Sequence, residues 1–148
     1  MRLIIGLGNP ERGDDGIGRV LARDLRGRVP GDVEVREHIG DGATVFEWLE
    51  EADSAWLIDG AVSGAEPGTV HRFDAHDGPL PQHPFALSTH GLGPAEAIEL
   101  ARAMRCLPRR CVVYAIEGAS FENSHAASDA VKAVSRSVSA RILAELAE

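Results

Sequence analysis

Apolar residues along this chain fall into two alternating rhythms. Leu3-Ile4-Ile5 is an unbroken apolar run of strand length, and Ile17, Val20, Leu21 and Leu25 then recur at helical spacing. Val33 and Val35 alternate with Glu34 and Arg36, which predicts a half-buried strand. Val45, Trp48 and Leu49 predict a short helix, and Ala55-Trp56-Leu57-Ile58 a second buried strand that runs into Asp59-Gly60. Thr69 to Phe73 reads as a further strand. No helix separates it from the preceding one, so it is expected as an antiparallel edge. Three prolines between Gly78 and Pro84 make that stretch a loop. Pro94, just after Gly93, suits the first turn of a helix carrying Ile98, Ala101 and Met104. Cys111 to Ile116 predicts a central strand, and Val131, Val134, Val138, Ile142 and Leu146 draw a helical stripe. Alternating strands and helices predict a three-layer α/β/α fold around a five-stranded twisted sheet, mostly parallel or mixed.

Composition narrows the class. A length of 148 residues predicts one domain spanning 1–148. No apolar run approaches bilayer length, so no membrane partner is expected. The opening MRLIIGLGNP is too short for a secretory apolar segment. Cys106 and Cys111 are too few for a disulfide framework and lack a zinc-type spacing, which fits a cytoplasmic protein with reduced thiols. A net charge of −8 argues against nucleic acid, whose binding draws on Lys and Arg. Arg12, Arg19, Arg23, Arg26 and Arg28 do cluster in and after the opening loop, and a solvated helix face is the expected explanation.

In such sheets ligands bind beyond the carboxyl ends of the strands. That rule gathers the loop after the first strand, Asp59 at the end of the third, His90 in the loop after the fourth and Glu117 at the end of the last. The loop Gly6 to Gly18, GLGNPERGDDGIG, admits three readings. A dinucleotide fingerprint fails because Glu11 stands where the third glycine belongs, Pro10 removes a backbone donor, and Asp14 and Asp15 would repel a phosphate. No residue is therefore assigned to a nucleotide cofactor. GLGNP also resembles the start of the bacterial-type peptidyl-tRNA hydrolases, but their catalytic histidine has no counterpart before His38.

The whole stretch, Gly6-x-Gly8-Asn9 followed by Asp14-Asp15-Gly16-x-Gly18, resembles the signature of the nickel-iron hydrogenase maturation endopeptidases. Gly40-Asp41-Gly42-Ala43-Thr44, Leu57-Ile58-Asp59-Gly60-Ala61 and Ser88-Thr89-His90-Gly91-Leu92 resemble further segments of that family in the expected order. The resemblance implies a phosphorylase/hydrolase-like fold and an aspartyl-type endopeptidase activity. The substrate would be the hydrogenase large-subunit precursor, whose C-terminal extension is removed once nickel is installed. It also implies that Asp15, Asp59 and His90 form the catalytic and metal-binding set, with the nickel supplied by the substrate. Asp15 is one methylene shorter than the Glu found in some members. His125-Ala126-Ala127-Ser128 departs from the family's Leu-Ser-Pro-like helix entry.

The residues support this chemistry in part by themselves. A charged Asp after an Ala-Trp-Leu-Ile strand is costly to bury without hydrogen bonds or a cation. His90 alone reads as a histidine bonded within its own loop. Asp14 and Asp15 read as helix N-caps, with Asp14 capping and Asp15 free for metal. Two carboxylates and an imidazole suit a borderline divalent ion such as nickel or zinc. No Gly-x-Ser-x-Gly or His-Glu-x-x-His motif competes. Glu117, expected as a solvated strand-end acid, is a secondary candidate. His76 and His83, in a loop from His76 to Phe85, are extras that the substrate would touch. Two alternatives stay open: a peptidyl-tRNA hydrolase-like enzyme, and a nickel-binding maturation chaperone that cuts nothing.

Overall fold

The computed structural model describes residues 1–9, 13–81, 93–119 and 128–148, without the side chain of Asp15. Five strands form one sheet: β1 (Arg2–Leu7), β2 (Val33–His38), β3 (Ser54–Ala61), β4 (Val70–Asp74) and β5 (Arg110–Glu117). Four helices accompany them: α1 (Ile17–Leu25), α2 (Gly42–Glu51), α3 (Pro94–Ala103) and α4 (Asp129–Leu146). A 3-10 turn, Gly13–Gly16, precedes α1. The strand order is β2-β1-β3-β5-β4, parallel throughout except for the antiparallel edge β4. The expected mixed three-layer architecture is the observed one.

The apolar runs lack alternation because both sheet faces are covered. Leu3, Ile5, Leu7, Leu57, Val113 and Ala115 pack with Val45 and Leu49 of α2 and Ile98 and Ala101 of α3. On the opposite face, Ile4, Trp56, Ile58, Val112, Tyr114 and Ile116 pack with α1 and with Val131, Val138 and Ile142 of α4. Each fully buried large aliphatic side chain contributes about 1.5–3 kcal/mol by leaving water. Helix α1 is strongly amphipathic, burying Ile17, Leu21 and Leu25 while Val20 is half exposed.

Two features of this topology shape the functional end. From β1 the chain winds to β2 on one side and then to β3 on the other, so the strand order reverses at β1. Open α/β sheets bind ligands at such a reversal, outside the carboxyl ends of the two strands. The connection from β3 to β4 also has to pass over the end of β5, which lies between them. Glu117, the last residue of β5, pins that connection. Its backbone N–H donates to Thr69 O at 2.8 Å and its carbonyl accepts from Gly68 N at 2.7 Å.

Candidate active site

Glycine brings the opening loop onto the sheet. A Cβ on Gly18 would strike the carbonyl oxygens of Leu7 and Ile58, and one on Gly6 would strike Ala22 and the Gly18 carbonyl. The start of α1 therefore rests directly on β1 and β3, a contact that any side chain at Gly18 would hold apart. The glycines that mimic a dinucleotide fingerprint serve backbone packing instead. Gly8, at φ 130°, turns the chain after β1 and donates its N–H to His38 O at 3.1 Å.

The same contact sets the 3-10 turn against β3, whose Asp59 is 7% exposed. Asp59 lies inside the strand, which continues to Ala61 and so does not end at the acid. Its Oδ1 accepts from Gly60 N at 2.8 Å. Register aligns Asp59 with Ala115, on the α2/α3 side of the sheet. Helix α3 starts on this rim: Pro94 Cγ lies 4.0 Å from where a Cβ on Gly40, just beyond β2, would stand.

Asp14 does not cap α1. The N-cap there is Gly16, with no side-chain cap. The fully buried Asp14 carboxylate reaches across the rim, accepting from Ala119 N at 2.6 Å, Ser128 N at 2.6 Å and Ser128 Oγ at 2.8 Å. Ser128 in turn caps α4 by accepting from Val131 N. The side chain of Asp15, the whole of His90, and the residues His83, Phe85 and His125 to Ala127 fall outside the described residues. Among the described residues no three His, Cys, Asp or Glu side chains converge as metal ligands.

Glu117 corrects a second expectation. It is 2% exposed and thoroughly bonded, accepting from Ser63 N at 2.7 Å, Ser63 Oγ at 2.9 Å and Gly64 N at 3.0 Å. His71 Nε2 stands 3.2 Å from its Oε2. Burial pushes the Glu117 carboxyl up, but the backbone and hydroxyl of Ser63, His71 and the Gly64 N–H outweigh burial and hold it below the usual carboxylate range. Ser63 is not a nucleophile of the triad kind, because its hydroxyl donates to the carboxylate and both meet the same ring nitrogen. His71, which strand alternation places on the same face as Phe73, escaped the sequence reading.

His76 is also corrected. β4 runs antiparallel, so the chain leaves it at the opposite end of the sheet. There His76 Nε2 stands 2.7 Å from Pro108 O, just before β5 begins. This residue braces the far end and does not line the rim. The arginines after the opening loop are spent internally: Arg19, Arg23 and Arg26 converge on Glu37 at 3.3, 2.8 and 3.1 Å, and Arg28 pairs with Asp24 at 2.6 Å. Cys111 is buried, which pushes its thiol up to about 12, and Cys106 is half-buried; both are free.

A mostly parallel sheet with a buried carboxylate beside its strand-order reversal defines an open α/β fold whose candidate site lies at the carboxyl rim. The chain belongs to the hydrogenase maturation protease family, whose model, HycI, matches residues 27–145. It is a peptidase that removes the C-terminal extension of a hydrogenase large subunit. Asp59 and His90 lie inside the matched span and Asp15 lies before it. The fold is similar to the hydrogenase maturating endopeptidase HybD from E. coli, at 22% identity and TM-score 0.80 over 98% of this chain and 91% of that one. The NiFe hydrogenase maturation protease HycI from Thermococcus kodakarensis KOD1 is similar at 24% identity and TM-score 0.74, over 99% and 92%. A hydrogenase 2 maturation peptidase from a Thaumarchaeota archaeon is similar at 24% identity and TM-score 0.73, over 98% and 97%. No curated protein sequence matches the chain. This family assignment displaces the peptidyl-tRNA hydrolase alternative. Among the described residues no helix is long and apolar enough to cross a membrane.

Proposed function

We propose that Asp15, Asp59 and His90 form the working site of this peptidase by engaging nickel already bound in the large-subunit precursor. The observation that carries the proposal is the contact of the 3-10 turn, which includes Asp15, with β3 at the strand-order reversal, where Asp59 is buried. His90 precedes Gly93 by three positions, and Gly93 opens α3 on the side of the sheet that Asp59 faces. A carboxylate held in an apolar layer is stabilised by a cation brought to it. Two carboxylates and an imidazole match a borderline divalent ion.

In this reading nickel belongs to the substrate. Precursor without nickel presents no charge for the two carboxylates to bind, so loading is checked before cutting. Held by Asp15, Asp59 and His90, that metal would supply a positive charge able to orient the extension and to polarise the scissile carbonyl or its attacking water. Asp14 has a different task, holding the turn to the α4 entrance so that its neighbour stays on the rim. The free, partly buried thiols fit a reducing cytoplasm.

Incubating the protein with nickel-loaded and nickel-free precursor tests the reading. The expected outcome is loss of the C-terminal extension from the loaded form alone, seen as a mass shift, and abolished by Asp15→Asn or His90→Ala in folded protein. Binding without trimming favours the chaperone role, and equal trimming of both forms removes nickel from the mechanism.

A further inference from the structure

Helices α1 and α4 lie side by side and are joined at two levels. At the rim Asp14, in the turn before α1, accepts from Ser128 N at 2.6 Å, and further down Ser139 Oγ donates to Asp24 Oδ2 at 3.5 Å. Between these ties the helices part around a groove of about 270 Å³. Val20, Leu21 and Asp24 of α1 line one wall, and Lys132, Ser135 and Arg136 of α4 the other. Val20 is 49% exposed, whereas Ile17, Leu21 and Leu25 of the same helix are buried. The Ser135 hydroxyl is satisfied by its own helix, donating to Val131 O at 3.1 Å.

The charges in this groove are unbalanced. Lys132, the only lysine in the chain, and Arg136 are both exposed, and among the described residues neither pairs with an acid. Like charges four residues apart on a helix repel each other. Asp24 does not offset them, because Arg28 already holds it at 2.6 Å. An aliphatic wall facing two unmatched cations complements a segment that carries an apolar side chain and a carboxylate.

The position of the groove identifies such a segment. Lys132 N donates to Ser128 O at 3.1 Å, so Lys132 sits one turn below the rim. Helical rise places it about 6 Å and Arg136 about 12 Å from that level. Asp59 faces the other side of the sheet, about 10 Å away across the layer. An extended chain leaving the Asp59 side, crossing the turn before α1 and descending between α1 and α4 covers this path in about five to seven residues. The part of the substrate that runs on from the scissile bond is the C-terminal extension, and it necessarily ends in a carboxylate.

We propose that the groove between α1 and α4 holds the C-terminal extension of the precursor, with a carboxylate of the extension on Lys132 and Arg136. The proposal rests on the peptidase site described above and assigns its substrate a second point of contact.

The test measures kcat and KM of the full chain on nickel-loaded precursor, for wild type and for the double variant Lys132→Gln, Arg136→Gln. The double variant is expected to raise KM by about 2–30-fold at low salt, the effect of losing two exposed ion pairs, with kcat and thermal midpoint close to wild type. Added salt should raise the wild-type KM towards that of the variant. On a precursor whose extension is cut back to about three residues, too short to reach the groove, the two KM values should converge. Changing the acids of the full-length extension to amides separates the two carboxylate sources: a KM difference that survives assigns the terminal carboxylate, and one that vanishes assigns a side chain. An unchanged KM in the double variant overturns the proposal, and so does a rise that persists on the shortened extension. Wild-type protein that leaves loaded precursor intact overturns the peptidase site reading itself, and this proposal with it.

Discussion

Asp14 and Ser128, 114 positions apart, are joined twice: Oδ1 accepts the Ser128 N–H and Oδ2 its hydroxyl, while Oδ2 also accepts the N–H of Ala119. One buried carboxylate thus ties the turn before α1 to the end of β5 and the start of α4. Asp14→Asn replaces one acceptor oxygen with an amide NH2 donor that faces other donors. Urea unfolding should show a loss of about 2–4 kcal/mol, the cost of leaving buried hydrogen-bonding groups opposed.

The neighbouring acid should behave in the opposite way. Asp15→Asn and Asp59→Asn are expected to stop processing of nickel-loaded precursor while shifting unfolding free energy by about 1 kcal/mol or less, in the usual range for substitutions away from packing defects. Processing assays run beside urea curves for Asp14, Asp15 and Asp59 variants check this separation. A large stability loss at Asp59 would make it a structural acid.

Gly18 and Gly27 give a steric contrast. A methyl group on Gly18 meets the carbonyls of Leu7 and Ile58, whereas one on Gly27 meets nothing within 4 Å. Gly18→Ala should cost 3 kcal/mol or more, on the order of severe overpacking, and should lift the opening turn off β3. Gly27→Ala should be neutral or stabilising by about 0.4–1 kcal/mol. Thermal midpoints of the two variants are the measurement.

Glu145 contributes to acid stability. Burial pushes its carboxyl up, but Arg72, Tyr114 and Arg110 outweigh that and hold it at about 2, against an ordinary 4.5. A lowered folded-state value means that the stabilisation is complete above about 4.5 and drains away as pH falls from there towards 2. Glu145→Gln should lower stability at neutral pH by roughly 2–4 kcal/mol, since Arg72 and Arg110 lose their counter-charge. It should also flatten this part of the pH profile, as stability measured from pH 6 to 2.5 will show.

Thiol labelling offers a quick check of the core. Cys111 of β5 is buried between the sheet and the α2/α3 layer and its thiol is raised to about 12, while Cys106 is half-buried. A thiol-reactive dye should modify Cys106 alone in native protein and both cysteines in denaturant. Rapid modification of two thiols in buffer would contradict the packing of β5 against α3.

The architecture was legible because burial leaves a simple trace in sequence. Both-face burial turned β1, β3 and β5 into unbroken apolar runs, and the missing helix between Ile58 and Val70 correctly signalled an antiparallel edge. Charged side chains were harder. Asp14 looks like a local cap, but its donors lie more than a hundred positions away, and nothing in the local pattern names them. Glu117 looked solvated because its burial comes from a connection that must pass above it, a fact of strand order and not of spacing. His76 was misplaced for a similar reason: the reversed direction of β4 sends it to the far end of the sheet.

The stretch numbered 120–127 departs from and returns to the same acid, since Ala119 and Ser128 both donate to Asp14. Its ends are thereby fixed independently of what lies between them. Segments of other lengths and chemistry can be grafted at this point with the sheet left as it is.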